Sequence, residues 1–131
     1  MAYDVRIIPV GEFLRSDVTG VLNREASRQL LSKLMGASRQ QNINRILIDC
    51  RDASSVTNLT DVWMLVQDFD ALGVTRKCRI AVLSSPEGDF GKVEFLEVCA
   101  SNRGYAVKAF VEFEGAVTWL AAQQSCSESV P

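Results

Sequence analysis

The stretch Ile46–Leu65, ILIDCRDASSVTNLTDVWML, decides the fold because it combines two hydrophobic periods. With Arg45, its first residues form a nearly continuous apolar run up to Cys50, which is typical of a parallel strand buried on both faces. The polar stretch Arg51–Ser55 predicts a loop. Apolar residues then recur at helical spacing up to Gly73, and these are Val62, Leu65, Val66, Phe69 and Leu72. The order of strand, loop and amphipathic helix predicts an α/β domain.

Strands and helices continue to alternate on both sides of this stretch. Two extended runs, Tyr3–Val10 and Glu12–Leu22, predict antiparallel strands that turn at Gly11, and a helix follows Asn23. Towards the C-terminus, the pattern predicts a strand at Arg79–Leu83, a loop at residues 84–89, a helix at Phe90–Asn102, a strand at Tyr105–Val111 and a helix at residues 113–120.

The order β-β-α-β-α-β-α-β-α predicts a single mixed, mostly parallel five-stranded sheet with four helices. The 131 residues, of which 47% are hydrophobic, suit one domain. We expect this domain to span residues 1–123 and the polar residues 124–131 to form a flexible tail. Ligands of such sheets bind beyond the carboxyl ends of the strands, which here are residues 51–58, residues 84–89 and Glu112.

Charge and hydropathy argue against nucleic acid and membrane partners. The formal net charge is -2, and the acidic and basic residues are interspersed, so the chain shows no basic surface for nucleic acid. Its apolar runs are too short to span a membrane, and Met1–Val10 lacks the apolar centre of a signal peptide. We therefore expect a cytoplasmic protein without integral membrane association.

The residue types leave little catalytic chemistry. The chain has no histidine, which removes the commonest general base and the commonest metal ligand. The cysteines Cys50, Cys78, Cys99 and Cys126 form no CxxC pair, which favours buried free thiols over a metal site. Residues 84–91 contain neither a GxGxxG motif nor a P-loop. We therefore expect no enzyme, no catalytic residue, no metal and no cofactor.

The decisive stretch resembles the central signature of the anti-sigma-factor antagonist (STAS) family. In that family an apolar strand ends in Asp, and an Asp-Ser-Ser-Gly motif opens the second helix. Asp49 matches the strand-end aspartate, and the motif positions are held by Thr57, Asn58, Leu59 and Thr60. The phosphorylatable serine of the motif therefore corresponds to Asn58, which cannot carry phosphate.

The segment Val107–Leu120, VKAFVEFEGAVTWL, is similar to the ending of the SpoIIAA-like branch, which includes many uncharacterised bacterial proteins. Ala116, Trp119 and Leu120 match the Ala-x-x-Trp-Leu helix of that branch. The resemblance covers almost the whole chain and implies a SpoIIAA/STAS-like fold. It also implies the binding of a partner protein or of a small apolar ligand.

We predict a partner or ligand surface at the start of the second helix. Its residues are Thr57, Asn58, Thr60, Trp63 and Met64. Hydroxyl groups beside a helix N-terminus favour an added phosphate, which makes Thr57 and Thr60 candidate phosphorylation sites. Thr57, Asn58 and Thr60 are also the possible cap residues of this helix, and the alternative is that one of the threonines only caps it.

Trp63 is predicted to lie outside the core because it shares its helical face with Gln67 and Asp70. It then either belongs to a contact surface, with Met64 beside it, or folds over Ala53–Val56 as a local lid.

Two functions stay open at this point. The leading hypothesis is a non-enzymatic regulatory module that binds a protein partner, and a homodimer is one form that this binding can take. The alternative is a carrier or sensor of a small apolar ligand such as a lipid. In that case the ligand lies between the end of the sheet and the predicted helix Phe90–Asn102, with Phe90 and Phe95 lining the pocket.

Overall fold

The computed structural model describes residues 2–122, which form five strands and five helices. The strands are β1 (Tyr3–Val10), β2 (Phe13–Leu22), β3 (Arg45–Ser55), β4 (Arg79–Leu83) and β5 (Ala106–Phe110). The helices are α1 (Arg24–Gln41), α2 (Leu59–Gln67), α3 (Phe69–Leu72), α4 (Phe90–Asn102) and α5 (Phe113–Ala121). The predicted tail, residues 124–131, lies outside the described residues.

The five strands form one mixed sheet in the order β1-β2-β3-β4-β5. β1 and β2 are antiparallel and turn at Gly11, whereas β2, β3, β4 and β5 are parallel to one another. β3 is the central strand, and its residues Ile46, Leu47 and Ile48 are buried. The predicted mixed five-stranded α/β architecture is therefore confirmed, but five helices replace the predicted four among the described residues.

The two faces of the sheet are covered unequally. The larger core lies on the face covered by α1, α2, α3 and α4, where Leu34, Val66 and Ile80 are buried. The smaller core lies under α5 and contains Leu47, Ala81, Leu83, Ala116 and Leu120. Successive side chains of a strand point to opposite faces, so β3 and β4 supply residues to both cores. This double burial explains their continuous apolar runs.

β3 continues through Arg51–Ser55, which was wrongly predicted to be a loop. These residues extend the parallel pairing with β2, up to the pair Leu22 and Ser55. β4 ends earlier, with Leu83 opposite Asp49. The outer half of β3 therefore has a neighbouring strand on one side only, and polar residues fit there because the strand is no longer enclosed.

The predicted second helix is interrupted at Asp68, which ends α2 and precedes α3. The Asp68 carboxylate pairs with Arg28 of α1. α3 ends at Gly73, whose φ is +93°. Val66 before the break and Phe69 after it are both buried, so the helical spacing of apolar residues continues through the break. For this reason the sequence pattern indicated a single helix.

Gly20→Ala is expected to destabilise the fold by about 1–3 kcal/mol or more. The φ of Gly20 is +93°, and a Cβ there would lie 2.4 Å from the carbonyl oxygen of Ala2. Gly36→Ala is the matched control, because the added methyl at that position inside α1 meets open space and gains about 1 kcal/mol of helix propensity. Urea denaturation measures both changes. Equal stability of the two variants would contradict the packing of β1 against Gly20.

Candidate functional site

The start of α2 is fixed by a capping box. The Asn58 side chain accepts a hydrogen bond from the Asp61 N–H at 2.8 Å, and the Asp61 carboxylate accepts one from the Asn58 N–H at 3.1 Å. Two backbone donors are thereby satisfied at the exposed end of the helix. Of the three possible cap residues, Asn58 occupies the cap position, so neither Thr57 nor Thr60 caps this helix.

The two threonines lie in different environments. Thr57 is half-buried, and its hydroxyl lies 2.6 Å from the hydroxyl of Ser55. Its backbone N–H also donates to the Ser55 hydroxyl at 3.2 Å. Thr60, in the first turn of α2, is exposed. The structure therefore presents Thr60 to solvent and engages Thr57 in the loop.

Trp63 is 51% exposed, which confirms the prediction that it lies outside the core. Together with Leu59, Thr60 and Phe95 it lines a shallow depression between α2 and α4. These four residues are called the α2–α4 surface below. None of the three neighbours belongs to residues 53–56, over which the ring was alternatively expected to fold.

Met64 faces a different part of the molecule. Its Sδ atom lies 3.2 Å from Nη1 of Arg24 at the start of α1, which donates to it. Met64 therefore contacts α1 and does not line the depression with Trp63. The residues that the sequence grouped into one surface lie in four environments. Thr57 contacts Ser55, Asn58 caps the helix, Thr60 and Trp63 belong to the α2–α4 surface, and Met64 contacts α1.

A largely apolar cavity of about 120 Å³ lies behind α2, at the carboxyl end of the sheet. Its apolar walls come from α1, α2, α4 and the strands, and include Leu30, Ile48, Val62, Val82, Val93 and Leu96. The expected position between the sheet end and the helix Phe90–Asn102 agrees with this cavity. The expected lining residues Phe90 and Phe95 do not line it, because α4 directs Lys92, Val93 and Leu96 inwards and Phe95 towards Trp63.

One side of the cavity mouth is formed by contacts between the start of α4 and the end of β3. The Asp89 carboxylate accepts a hydrogen bond from the Ser55 N–H at 2.8 Å, and Lys92 Nζ donates to the Ser55 carbonyl at 3.0 Å. Asp89 and Lys92 also form an ion pair at 3.4 Å. Sequence reasoning missed both residues. The sequence shows that Asp89 and Lys92 are three residues apart at the start of a helix. It does not show that both bond to the backbone of Ser55 in β3.

Cys50 lines the cavity without being a reactive thiol. Burial, and then the negative charges of Asp49 and Asp89, raise the pKa of its thiol to about 12. The thiol is therefore protonated at neutral pH and is a poor nucleophile. Within residues 2–122 no group of three cysteine or acidic residues is placed to hold a metal ion.

Asp49 is bound into a charge network instead of being available for acid–base chemistry. Arg51 donates to its carboxylate from Nε at 3.0 Å and from Nη2 at 2.8 Å, and Arg15 lies 3.6 Å away. Burial alone would raise the pKa of Asp49, but the hydrogen bonds and charge of Arg51 and the charge of Arg15 hold it below its ordinary value. The prediction that Asp49 ends its strand is wrong, because β3 continues to Ser55. Asp49 lies opposite Leu83, the last residue of β4, and stabilises this part of the sheet as a carboxylate.

No helix within residues 2–122 is long and apolar enough to cross a membrane. No protein-family model matches the chain, and no curated protein matches it in sequence.

Solved structures nevertheless share its architecture. An anti-sigma factor antagonist from Mycobacterium paratuberculosis superposes with a TM-score of 0.62 at 10% identity, covering 92% of this chain and 96% of that chain. An uncharacterised protein of the DUF3478 family from Shewanella loihica, described as having a SpoIIAA-like fold, gives 0.58 at 18% identity, covering 91% and 94%. The unphosphorylated anti-sigma factor antagonist SpoIIAA gives 0.53 at 16% identity, covering 93% and 100%. The resemblance predicted from the sequence is thus confirmed at the level of the fold, and this chain has the SpoIIAA-like fold of anti-sigma factor antagonists.

Proposed function

We propose that this chain is a non-enzymatic regulatory module that binds a protein partner through the α2–α4 surface. The observation that carries the proposal is the half-exposed ring of Trp63 beside Leu59 and Phe95 on two packed helices. Exposed tryptophan is costly in water and frequent at the centres of protein interfaces. The likeness to anti-sigma factor antagonists supports a role in protein binding.

The α2–α4 surface is well suited to recognition because its backbone is held before a partner arrives. The capping box of Asn58 and Asp61 fixes the start of α2, and the hydrogen bonds of Asp89 and Lys92 with Ser55 fix the start of α4. A surface that is already ordered loses less conformational entropy on binding. Either a different protein or a second copy of this chain is a suitable partner in this proposal.

Trp63→Ala is expected to weaken partner binding while changing the free energy of unfolding by less than about 1 kcal/mol, since the ring is mostly outside the core. The measurement is quantitative mass spectrometry of proteins retained from the native lysate, with Ile8→Ala, an exposed apolar residue of β1, as the control. Analytical ultracentrifugation of the same variants tests the homodimer. Unchanged capture and unchanged self-association would contradict the proposal. A loss of stability of about 3–5 kcal/mol would instead make the ring a structural residue.

Thr60 is the phosphorylation site that we propose, in preference to Thr57. Thr60 is exposed and belongs to the α2–α4 surface, whereas the hydroxyl of Thr57 is engaged with Ser55. A phosphate on Thr60 would place a hydrated dianion beside Trp63 and near the carboxylate of Asp61. It would therefore oppose an apolar partner.

Thr60→Glu is expected to reduce partner capture about as much as Trp63→Ala, because it introduces charge into the same apolar depression. The glutamine of Thr60→Gln has nearly the same size as glutamate but no charge, and this variant is expected to retain partner capture. The lysate experiment above measures both variants, and phosphopeptide mapping of the native protein locates the modification. Phosphate found on Thr57 alone, or equal capture by the two variants, would contradict this part of the proposal.

A small apolar ligand in the cavity is the second candidate function, and the cavity itself favours it. Its volume of about 120 Å³ approaches the roughly 150 Å³ of an engineered apolar cavity that binds benzene. The cavity therefore suits an apolar group of about six carbons.

Benzene is expected to raise the melting temperature of the wild-type protein, because a ligand that binds only the folded state stabilises it. Leu96→Trp fills the cavity from α4 and is expected to abolish this rise. Val98→Trp, on the exposed side of the same helix, is the matched control and is expected to retain it. Differential scanning calorimetry measures the three proteins. The absence of a rise in wild type, or a rise in the Leu96 variant, would contradict ligand binding in this cavity.

A further inference from the structure

We propose that the cavity binds a small apolar monocarboxylate, whose carboxylate is held by the guanidinium group of Arg24. This inference rests on the second candidate function and adds the chemical class of the ligand. It follows from the charged groups at the mouth of the cavity, which are Arg24, Asp61, Asp89 and Lys92.

Three of these four charged groups already have partners. Asp89 and Lys92 pair with each other, and both bind the backbone of Ser55. Asp61 belongs to the capping box of α2. Within residues 2–122, no carboxylate lies within 4.0 Å of the Arg24 guanidinium. Its Nη1 atom donates to Met64 Sδ, a weak acceptor, at 3.2 Å. A guanidinium has five N–H donors, so Arg24 keeps most of its donors for a ligand.

The position of Arg24 in the chain also favours an anion. Arg24 is the first residue of α1, where the helix dipole is positive and a cation is unfavourable. Glu25 does not neutralise it, because the Glu25 carboxylate lies 3.8 Å from Arg28. A bound carboxylate would give Arg24 the charge-assisted partner that this end of α1 lacks.

The same mouth selects for a single negative charge. The carboxylates of Asp61 and Asp89 line the mouth together with Arg24. A dianionic phosphate would therefore meet two negative groups and only one cation without a carboxylate partner. A monocarboxylate adds one charge and can accept two parallel N–H donors from a guanidinium. The hydroxyls of Ser27 and Thr57 border the same region and provide a polar surround for the headgroup.

The apolar part of the ligand follows from the walls. Behind the mouth, Leu30, Ile48, Val62 and Leu96 present only hydrocarbon to the cavity. The volume of about 120 Å³ suits about six tail carbons, by comparison with the benzene cavity above. Octanoate is therefore the probe of choice, and octanol and octylamine carry the same tail with a neutral and a cationic headgroup.

Isothermal titration calorimetry at pH 7 tests the proposal with these three probes on wild type, Arg24→Gln and Arg6→Gln. Octanoate is expected to bind wild type at least about tenfold more tightly than octanol, because its carboxylate forms a hydrogen-bonded charge pair with Arg24. Arg24→Gln is expected to remove this advantage and to leave octanol binding unchanged. Arg6, an exposed arginine of β1 outside the cavity, is the matched control, and its substitution is expected to change neither affinity.

The outcomes separate this inference from the function on which it rests. If octanoate and octanol bind equally, or octylamine binds most tightly, the carboxylate assignment is wrong and the apolar cavity function stands. If none of the three probes binds, both are wrong. Leu96→Trp is expected to abolish octanoate binding, and retained binding in that variant would show that octanoate occupies another site. Because Arg24 is exposed, its substitution is expected to leave the melting temperature unchanged, which calorimetry verifies.

Discussion

The fold depends on one constraint, which is that β3 extends beyond the end of its neighbour β4. Its inner half is enclosed by β2, β4 and helices on both faces, whereas Arg51–Ser55 has only β2 as a neighbour. Backbone groups of this outer half still need hydrogen-bond partners on the side where β4 has ended. The N–H and carbonyl groups of Ser55 bond to the side chains of Asp89 and Lys92. For Ser55, side chains at the start of α4 thus take the place of the missing strand.

The same contacts lie beside the cavity. Asp89, which precedes α4, and Lys92 of its first turn bond to the backbone of Ser55, and Val93 and Leu96 of α4 line the cavity. α2 lines the same space with Val62 and Leu65. The two candidate functions therefore share α2, whose inner face lines the cavity and whose outer face carries Trp63.

The parts of this structure that follow a hydrophobic period could be predicted from the sequence. The buried half of β3, the alternation of strands and helices along the chain and the exposure of Trp63 each follow from where apolar residues recur in the sequence. Arg51–Ser55 broke the rule because its polar residues lie in a strand with one open side. The break at Asp68 was hidden because the apolar period continues through it, and the Arg28 partner lies forty residues away in the chain.

The candidate site was harder to predict, for a related reason. Helical spacing told which face of α2 Trp63 occupies, but not that Phe95 of α4 lies beside it or that Met64 contacts Arg24 of α1. Those contacts depend on how three helices pack over the end of one strand. The cavity had no local signal at all, since its lining residues have the same apolar pattern as a filled core.

The cap of α2 limits how the α2–α4 surface can be regulated. Asn58 supplies a neutral amide acceptor to the first turn of the helix. The Asp61 carboxylate already places a negative charge at the positive end of the helix, so the start of α2 needs no phosphate for its stability. A change in charge at Thr60 would act one turn from Trp63, on the apolar surface itself. Thr60 and Trp63 both line the outer depression of α2, whereas Val62 and Leu65 of the same helix line the cavity.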